Sequence, residues 1–304
     1  MPNARNRSRT SGSGQRPTSS AARKVGAQKI AAARATQAAQ AARRRNLMLG
    51  GAGVAVVLIV VGVIIAVGAS HKGSKTVANP VVPASSAVTA SLSKAAAVAT
   101  APTGFSTVSG PPSRLTGSAL TGADGKPEVL YVGAEWCPYC AVTRWPLTVA
   151  LSRFGTFTNL KTTKSAVDDG NIPTLSYDGA SYTSSYIDFA PIEAQDGAHH
   201  TLDKLSAAQN DLFEKLGGGQ FPFVDFGGKW LQKGASADPA VLSGLEPDAV
   251  AAQLGDPTSK IGSTVQEGAD VFTAVICGLD GGKPASVCTA PAVTAGTTAL
   301  ASIK

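Results

Sequence analysis

Gly133-Ala134-Glu135-Trp136-Cys137-Pro138-Tyr139-Cys140 closes one short apolar run and opens another stretch with helical spacing. The run before it, Glu128 to Gly133 (EVLYVG), reads as a buried strand. The stretch after it, Pro138 to Phe154, brings Ala141, Val142, Trp145, Val149 and Phe154 largely inward as a helix. Trp145 is assigned to the core, and Pro146 is expected to kink the helix. A Cys-x-x-Cys between strand and helix sets Cys137 at the helix N-terminus. Unpaired N–H groups and the helix dipole there favour thiolate over thiol. Thiolate is the species that attacks a disulfide. Two intervening residues place Cys140 one turn along, within reach of Cys137 and more buried. Pro138 suits the first helical turn, where its missing N–H is not needed. Trp136 is expected to line the apolar surface beside Cys137. Glu135 is expected to be exposed, by strand alternation and its polarity.

Working outward, Leu160 to Thr163 reads as a second strand, and Thr174 to Phe189 as one or two more. Tyr177, Tyr182 and Tyr186 in that run read as sheet packing. Leu202 to Leu216 reads as an inserted amphipathic helix ended by Gly217, Gly218 and Gly219, with Lys204 to Lys215 on its solvated face. Phe221 to Phe226, a Gly227-Gly228 turn and Lys229 to Lys233 form a β-hairpin. Pro247 to Leu254 and Ile261 to Ile276 are further helices. The order is β-α-β, a helical insertion, then β-β-α, which indicates an α/β or α+β sandwich.

These residues resemble the thioredoxin superfamily. Ala134-Glu135-Trp136-Cys137 followed by x-x-Cys matches the thioredoxin approach to its active site, and Cys-Pro-Tyr-Cys is the glutaredoxin form. The resemblance implies that Cys137 attacks and Cys140 resolves. It also implies that Pro222, preceded by Phe221, is a cis-proline beside the Cys pair whose neighbouring backbone pairs with substrate. Pro138 and Tyr139 fall in the same substrate-binding surface. Thioredoxin carries a buried Asp six residues before its first Cys; this chain has Tyr131 there. The closer resemblance is to the DUF929 family. It rests on GAEWCPYCAVTRWPL, TLSYDGASYTSSYIDF, FPFVDFGG and the late Cys pair, which together span most of residues 113–290. That resemblance implies a membrane-tethered, thioredoxin-like fold and a redox role, without naming a substrate.

The duller reading of Cys137 and Cys140 is an inert bridge or half of a metal site. A zinc site needs about four ligands, and the chain holds no second Cys-x-x-Cys or Cys-x-x-His. His199 and His200 are adjacent and read as surface loop. No metal and no cofactor are expected. Cys277 and Cys288, in ICGLDGGKPASVC, are expected to pair locally as a second disulfide. Two roles stay open for it: a structural staple for the last helix, or a second redox pair exchanging electrons with Cys137 and Cys140.

The N-terminal part is of another kind. Residues 1–46 hold 11 of the 27 basic residues, and no acid occurs before Asp124. The net +7 is therefore a property of this tail, while the remainder is acidic, which excludes a nucleic-acid-binding globule. Without aromatic residues, 1–46 is expected to be a disordered cytoplasmic tail. Leu47 to Ala69 carries no charge over 23 residues, enough to cross a bilayer. Arg43, Arg44 and Arg45 precede it, so the N-terminus is expected inside and the rest outside. Val67 and Ala69 would suit a cleavage site, but the long basic region and long apolar run favour an uncleaved signal-anchor. Residues 70–112, rich in Ala, Ser, Thr, Val, Gly and Pro, read as a flexible linker to a domain over 113–304.

The expectation is a membrane-anchored, extracytoplasmic thiol–disulfide oxidoreductase, an oxidase or isomerase of exported proteins that carry thiols or disulfides. Two alternatives remain at this level: a tethered reductant fed by a membrane redox partner, and a non-catalytic thioredoxin-like binding module.

Overall fold

The computed structural model describes residues 78–97, 110–301 and 303. The basic tail and the Leu47–Ala69 segment lie outside the described residues. Among the described residues no helix is long and apolar enough to cross a membrane.

The chain is a mixed α/β protein. Its elements in order are β1 (Val82–Pro83), α1 (Ser86–Ala97), β2 (Ser113–Arg114), β3 (Glu128–Gly133), α2 (Pro138–Ser152), β4 (Gly155–Thr158), β5 (Lys161–Lys164), β6 (Pro173–Ser176), β7 (Ser181–Ser184), β8 (Asp188–Glu193), α3 (Ala207–Leu212), β9 (Phe223–Phe226), β10 (Trp230–Lys233), α4 (Pro247–Ala251), α5 (Lys260–Leu279), α6 (Ala285–Cys288) and α7 (Pro291–Ala301). A five-stranded sheet, ordered β2-β10-β9-β3-β8, forms the centre. β3 runs parallel to β8 and antiparallel to β9, with Val132 opposite Phe223 and Val129 opposite Phe226.

Strand alternation divides the core into two layers. Val129 and Tyr131 of β3, with Val224 and Phe226 of β9, face α2 and α5. Leu130, Val132, Phe223 and Leu231 face the other way, onto Phe213 in the short π-turn that follows α3. A helix buried between a sheet and a second helix has no solvent face, and every residue of α2 from Cys140 to Leu151 is buried. Trp145 is core as expected, its Nε1–H donating to the Pro173 carbonyl at 3.0 Å. Pro146 does not interrupt α2, which continues through it to Ser152. Its ring packs against α5 at Gly268, where a Cβ would stand 3.0 Å from Pro146 Cβ.

Between α2 and β8 the chain forms strands over the segments expected to hold them, β5–β6, which β1 extends to three strands, and β7, which pairs with the unexpected β4. Two expectations are corrected. First, the helix expected over Leu202–Leu216 starts only at Ala207, behind a Ser206–Gln209 capping box. Residues before it are held extended against β8: Asp203 N–H donates to the Glu193 carbonyl, and the Asp203 carboxylate accepts from Glu193 N–H at 2.9 Å. Second, the 70–112 stretch is not linker throughout. Val82–Pro83 pairs with β5, and α1 buries Val88, Leu92 and Ala95 against α2. That i, i+4, i+7 stripe is short and set among Ala and Ser, so no sustained period announced it. Ser85 Oγ caps the helix by accepting from Val88 N–H at 3.1 Å.

Because Leu92 is 3 % exposed in this seat, Leu92→Ala is expected to lower stability by about 2–5 kcal/mol. Urea denaturation of the full chain followed by tryptophan fluorescence measures it. A change within error would show that α1 is not part of the folded unit.

Candidate functional site

The site grows from the end of β3. Cys137 is the N-cap of α2, with φ −78° and ψ 120°, and Pro138 occupies the first helical position. Cys137 Sγ accepts the Cys140 N–H at 3.3 Å, as the sequence spacing requires. Both cysteines are free thiols. Cys140 is fully enclosed, while Cys137, 3 % exposed, forms part of the wall of an open cavity of about 670 Å³. Trp136, Pro138, Tyr139, Asp169, Gly219, Gln220 and Phe221 complete that wall. A second depression of about 450 Å³ lies across Tyr139 and Phe221, towards Lys233 and Pro239. Tyr139 stands 53 % exposed between them.

Of the residues singled out from sequence, Trp136, Cys137, Pro138, Tyr139 and Phe221 therefore share one cavity. The Phe221–Pro222 peptide is cis. Pro222 is buried and its carbonyl accepts from Gly234 N–H at 3.0 Å. Phe221 packs against the Cys pair, with its ring stacked on Phe213 and edge-on to Trp136. Trp136 is fixed by its Nε1–H, which donates to Gln195 Oε1 at 2.9 Å. His199 is exposed, as expected of a surface loop, but its ring stacks on Trp136 at 4.6 Å.

The two thiols are pushed apart electrostatically. Cys137 is held below the ordinary thiol value by the hydrogen bond from the Cys140 thiol; the Cys140 N–H and the Arg144 charge act the same way, against burial. Cys140 is pushed well above it by burial and by its neighbour. The two thiols thus differ in character, Cys137 being the readier to ionise.

Beneath the pair lies a polar layer that sequence reading missed. Arg144 of α2 and Glu193 of β8 are both fully buried and form a two-point ion pair, Nε to Oε1 at 2.8 Å and Nη2 to Oε2 at 2.6 Å. Arg144 Nη2 also donates to the Ala134 carbonyl at 2.8 Å. The available signal was Arg144 itself, the single charge between Cys140 and Leu151. Glu135 is corrected: it is 2 % exposed, not exposed, because Ser176 of β6 reaches in and donates to its Oε1 at 2.6 Å. Burial raises its pKa. Tyr131 is also enclosed, and burial raises its phenol. Its hydroxyl occupies the space a Gly133 Cβ would need, 2.0 Å away, so Gly133 is required there.

Cys277 and Cys288 are disulfide-bonded, as expected. They belong to the opposite end of the sheet. Leu279, at the end of α5, packs on Gly227 in the β9–β10 turn. Cys137 follows the end of β3 that pairs with Phe223. Four strand residues separate the two ends, about 13 Å at strand rise, and the disulfide ties α5 to α6.

Two outcomes are expected. Alkylation of the reduced chain is expected to modify Cys137 well before Cys140 at pH 7, with a rate midpoint below that of free cysteine; equal rates would overturn the assignment. Ionised Cys137 stabilises the reduced fold fully above the unfolded-chain pKa, and this is lost as pH falls through the lowered folded value. Cys140 runs oppositely, its contribution present below the unfolded value and lost as pH rises through its raised one. Replacing Cys277 and Cys288 by Ala is expected to cost about 2–4 kcal/mol while leaving the Cys137 alkylation profile unchanged. A shifted profile would mean that the two pairs communicate.

Comparison with curated proteins gave no match, and comparison with solved structures gave none either. The family comparison did: residues 118–217 match the model described as Domain of unknown function (DUF929). That span contains Cys137, Cys140, Arg144 and Glu193 but ends before Phe221, Pro222 and the second disulfide. The family that the motifs resemble is thus the one whose model matches, over residues 118–217 of the chain.

Proposed function

We propose that this protein is a membrane-anchored thiol–disulfide oxidoreductase of thioredoxin type, acting as an oxidase or isomerase on exported proteins. The observation that carries the reading is Cys137 at the start of α2, its sulfur receiving the Cys140 N–H, on a cavity shared with Phe221 of the cis Phe221–Pro222 turn. The topology supports it: a parallel β3/β8 pair flanking the Cys-x-x-Cys helix, then an antiparallel β9–β10 hairpin and α5. Phe221's own backbone N–H and carbonyl have no partner among the described residues, which leaves them for an extended substrate. The anchor and the extracytoplasmic side rest on the uncharged Leu47–Ala69 run behind Arg43–Arg45.

The chemistry proceeds in two exchanges. A substrate thiolate attacks Cys137 of the Cys137–Cys140 disulfide, forming a mixed disulfide and releasing Cys140 as thiolate. A second substrate thiolate attacks the mixed disulfide and releases Cys137, so the substrate is oxidised and the protein dithiol formed. Run the other way, Cys137 opens a wrong substrate bridge and Cys140 resolves the mixed species. Tyr131 in place of a buried Asp removes a proton acceptor for Cys140, which favours oxidase or isomerase over reductase.

The full chain in detergent micelles, in a glutathione buffer, is expected to speed recovery of active ribonuclease from its reduced or scrambled form. Cys137→Ser is expected to return the rate to the uncatalysed one, and Cys140→Ala to accumulate a mixed disulfide with the client. Absence of turnover by the wild-type chain would sink the proposal.

A further inference from the structure

Cys140 is the leaving group of the first exchange, and it leaves into a site with no exposure to water. A thiolate there needs a counter-charge within the fold. Arg144 lies one helical turn beyond Cys140, on the same side of α2. It cannot turn away: Glu193 grips Nε and Nη2, and the Ala134 carbonyl takes a second bond from Nη2. Ala134 itself packs with Cys137 and Cys140 in one small buried cluster. The guanidinium is thus fixed against the backbone that carries the Cys pair.

Resting on the oxidoreductase reading above, we propose that Arg144 is the positioning residue of the exchange. Anchored by Glu193, it supplies the buried positive charge that steadies the Cys140 thiolate as Cys137–Cys140 opens, and so makes the disulfide a stronger oxidant. The step balances without another reagent. One substrate S–S bond to Cys137 forms, the Cys137–Cys140 bond breaks, and the electron pair stays on Cys140 beside the cation. A fold that stabilises its reduced form has the more oxidising disulfide.

The surrounding groups agree with this assignment. The ionisable groups acting on Arg144 are Glu193 of β8, Tyr131 of β3 and Cys140 of α2. Glu135, of the β3–α2 connection, and Tyr177, just past β6, feel it in turn. The Asp270 carboxylate of α5 is engaged elsewhere, by Arg153 at 2.6 Å. The Arg144 charge favours ionisation of both thiols. Thioredoxin's position for an acidic group, Tyr131, here places its ring under the guanidinium, 5.6 Å from ring centre to Cζ.

The test is a set of variants of the full chain in detergent, each equilibrated with glutathione redox buffers. Arg144→Met alone leaves Glu193 buried without a partner and risks unfolding, so Arg144→Met with Glu193→Gln is the working variant and Arg144→Lys the control. Circular dichroism establishes that each is folded. In the double variant the equilibrium constant for oxidising glutathione is expected to fall about tenfold, which corresponds to about 30 mV. The midpoint of Cys137 alkylation is expected to move to higher pH. Arg144→Lys, which keeps the charge, is expected to retain most of the wild-type value. An unchanged potential in the folded double variant, or an equal loss in Arg144→Lys, would overturn the proposal. Ribonuclease refolding by the wild type, run in parallel, reports separately on the oxidoreductase reading. A wild type without turnover sinks that reading, whereas an unmoved potential in an active enzyme sinks only the role given to Arg144.

Discussion

The ion pair between Arg144 and Glu193 joins the parts of the molecule that must stay in register. One end is on the helix that begins with the Cys pair, the other on the strand parallel to β3, and a third contact reaches the Ala134 carbonyl. Glu193 also accepts from the Tyr177 N–H through Oε1, which ties in the chain just past β6. Two buried charges are costly to desolvate, and such a pair is a poor source of stability compared with apolar packing. What it supplies is position. Bidentate geometry allows one relative placement of α2 and β8, so the helix terminus and the end of the sheet meet in a single arrangement.

The second constraint is the fit between α2 and α5. Gly268 lets α5 approach the Pro146 ring, and farther along Arg153 is tied to Asp270 and Thr273. Gln266 crosses to the carbonyls of Ala95 and Leu254, so α1 and the chain after α4 hang on the same helix. The layer that supports the Cys pair from behind is thus held at several points by polar contacts with defined directions, within an otherwise apolar interface.

Much of the frame was legible because it depends on local signals. The apolar EVLYVG run, the Cys-x-x-Cys at a strand–helix junction and the Gly227-Gly228 hairpin each encode their geometry within a few residues. What escaped depends on distant partners. Glu135 is polar and sits after a strand, so alternation put it outside; only the arrival of Ser176, 41 residues later, closes over it. β4, Gly155–Thr158, is only four residues long and finds its partner in the later β7, so nothing within it marks it as a strand. α1 was hidden by composition, since Ala and Ser suit a linker as well as a helix whose burial rests on three residues. The cavity residues from Trp136 to Tyr139 were accessible to motif reading, whereas the charge beneath them was not, because one Arg in a helix carries no sign of where its carboxylate will come from.

β1 contributes only two residues, yet it covers the free side of β5. Together with α1 it seals an apolar seat on α2 that the rest of the domain leaves open. A chain shortened to begin at Ser113 would bare both at once: a row of unsatisfied strand amides and carbonyls beside an oily trough. Such a surface invites self-association, so the stretch that looks like a spacer also keeps neighbouring copies from zipping together.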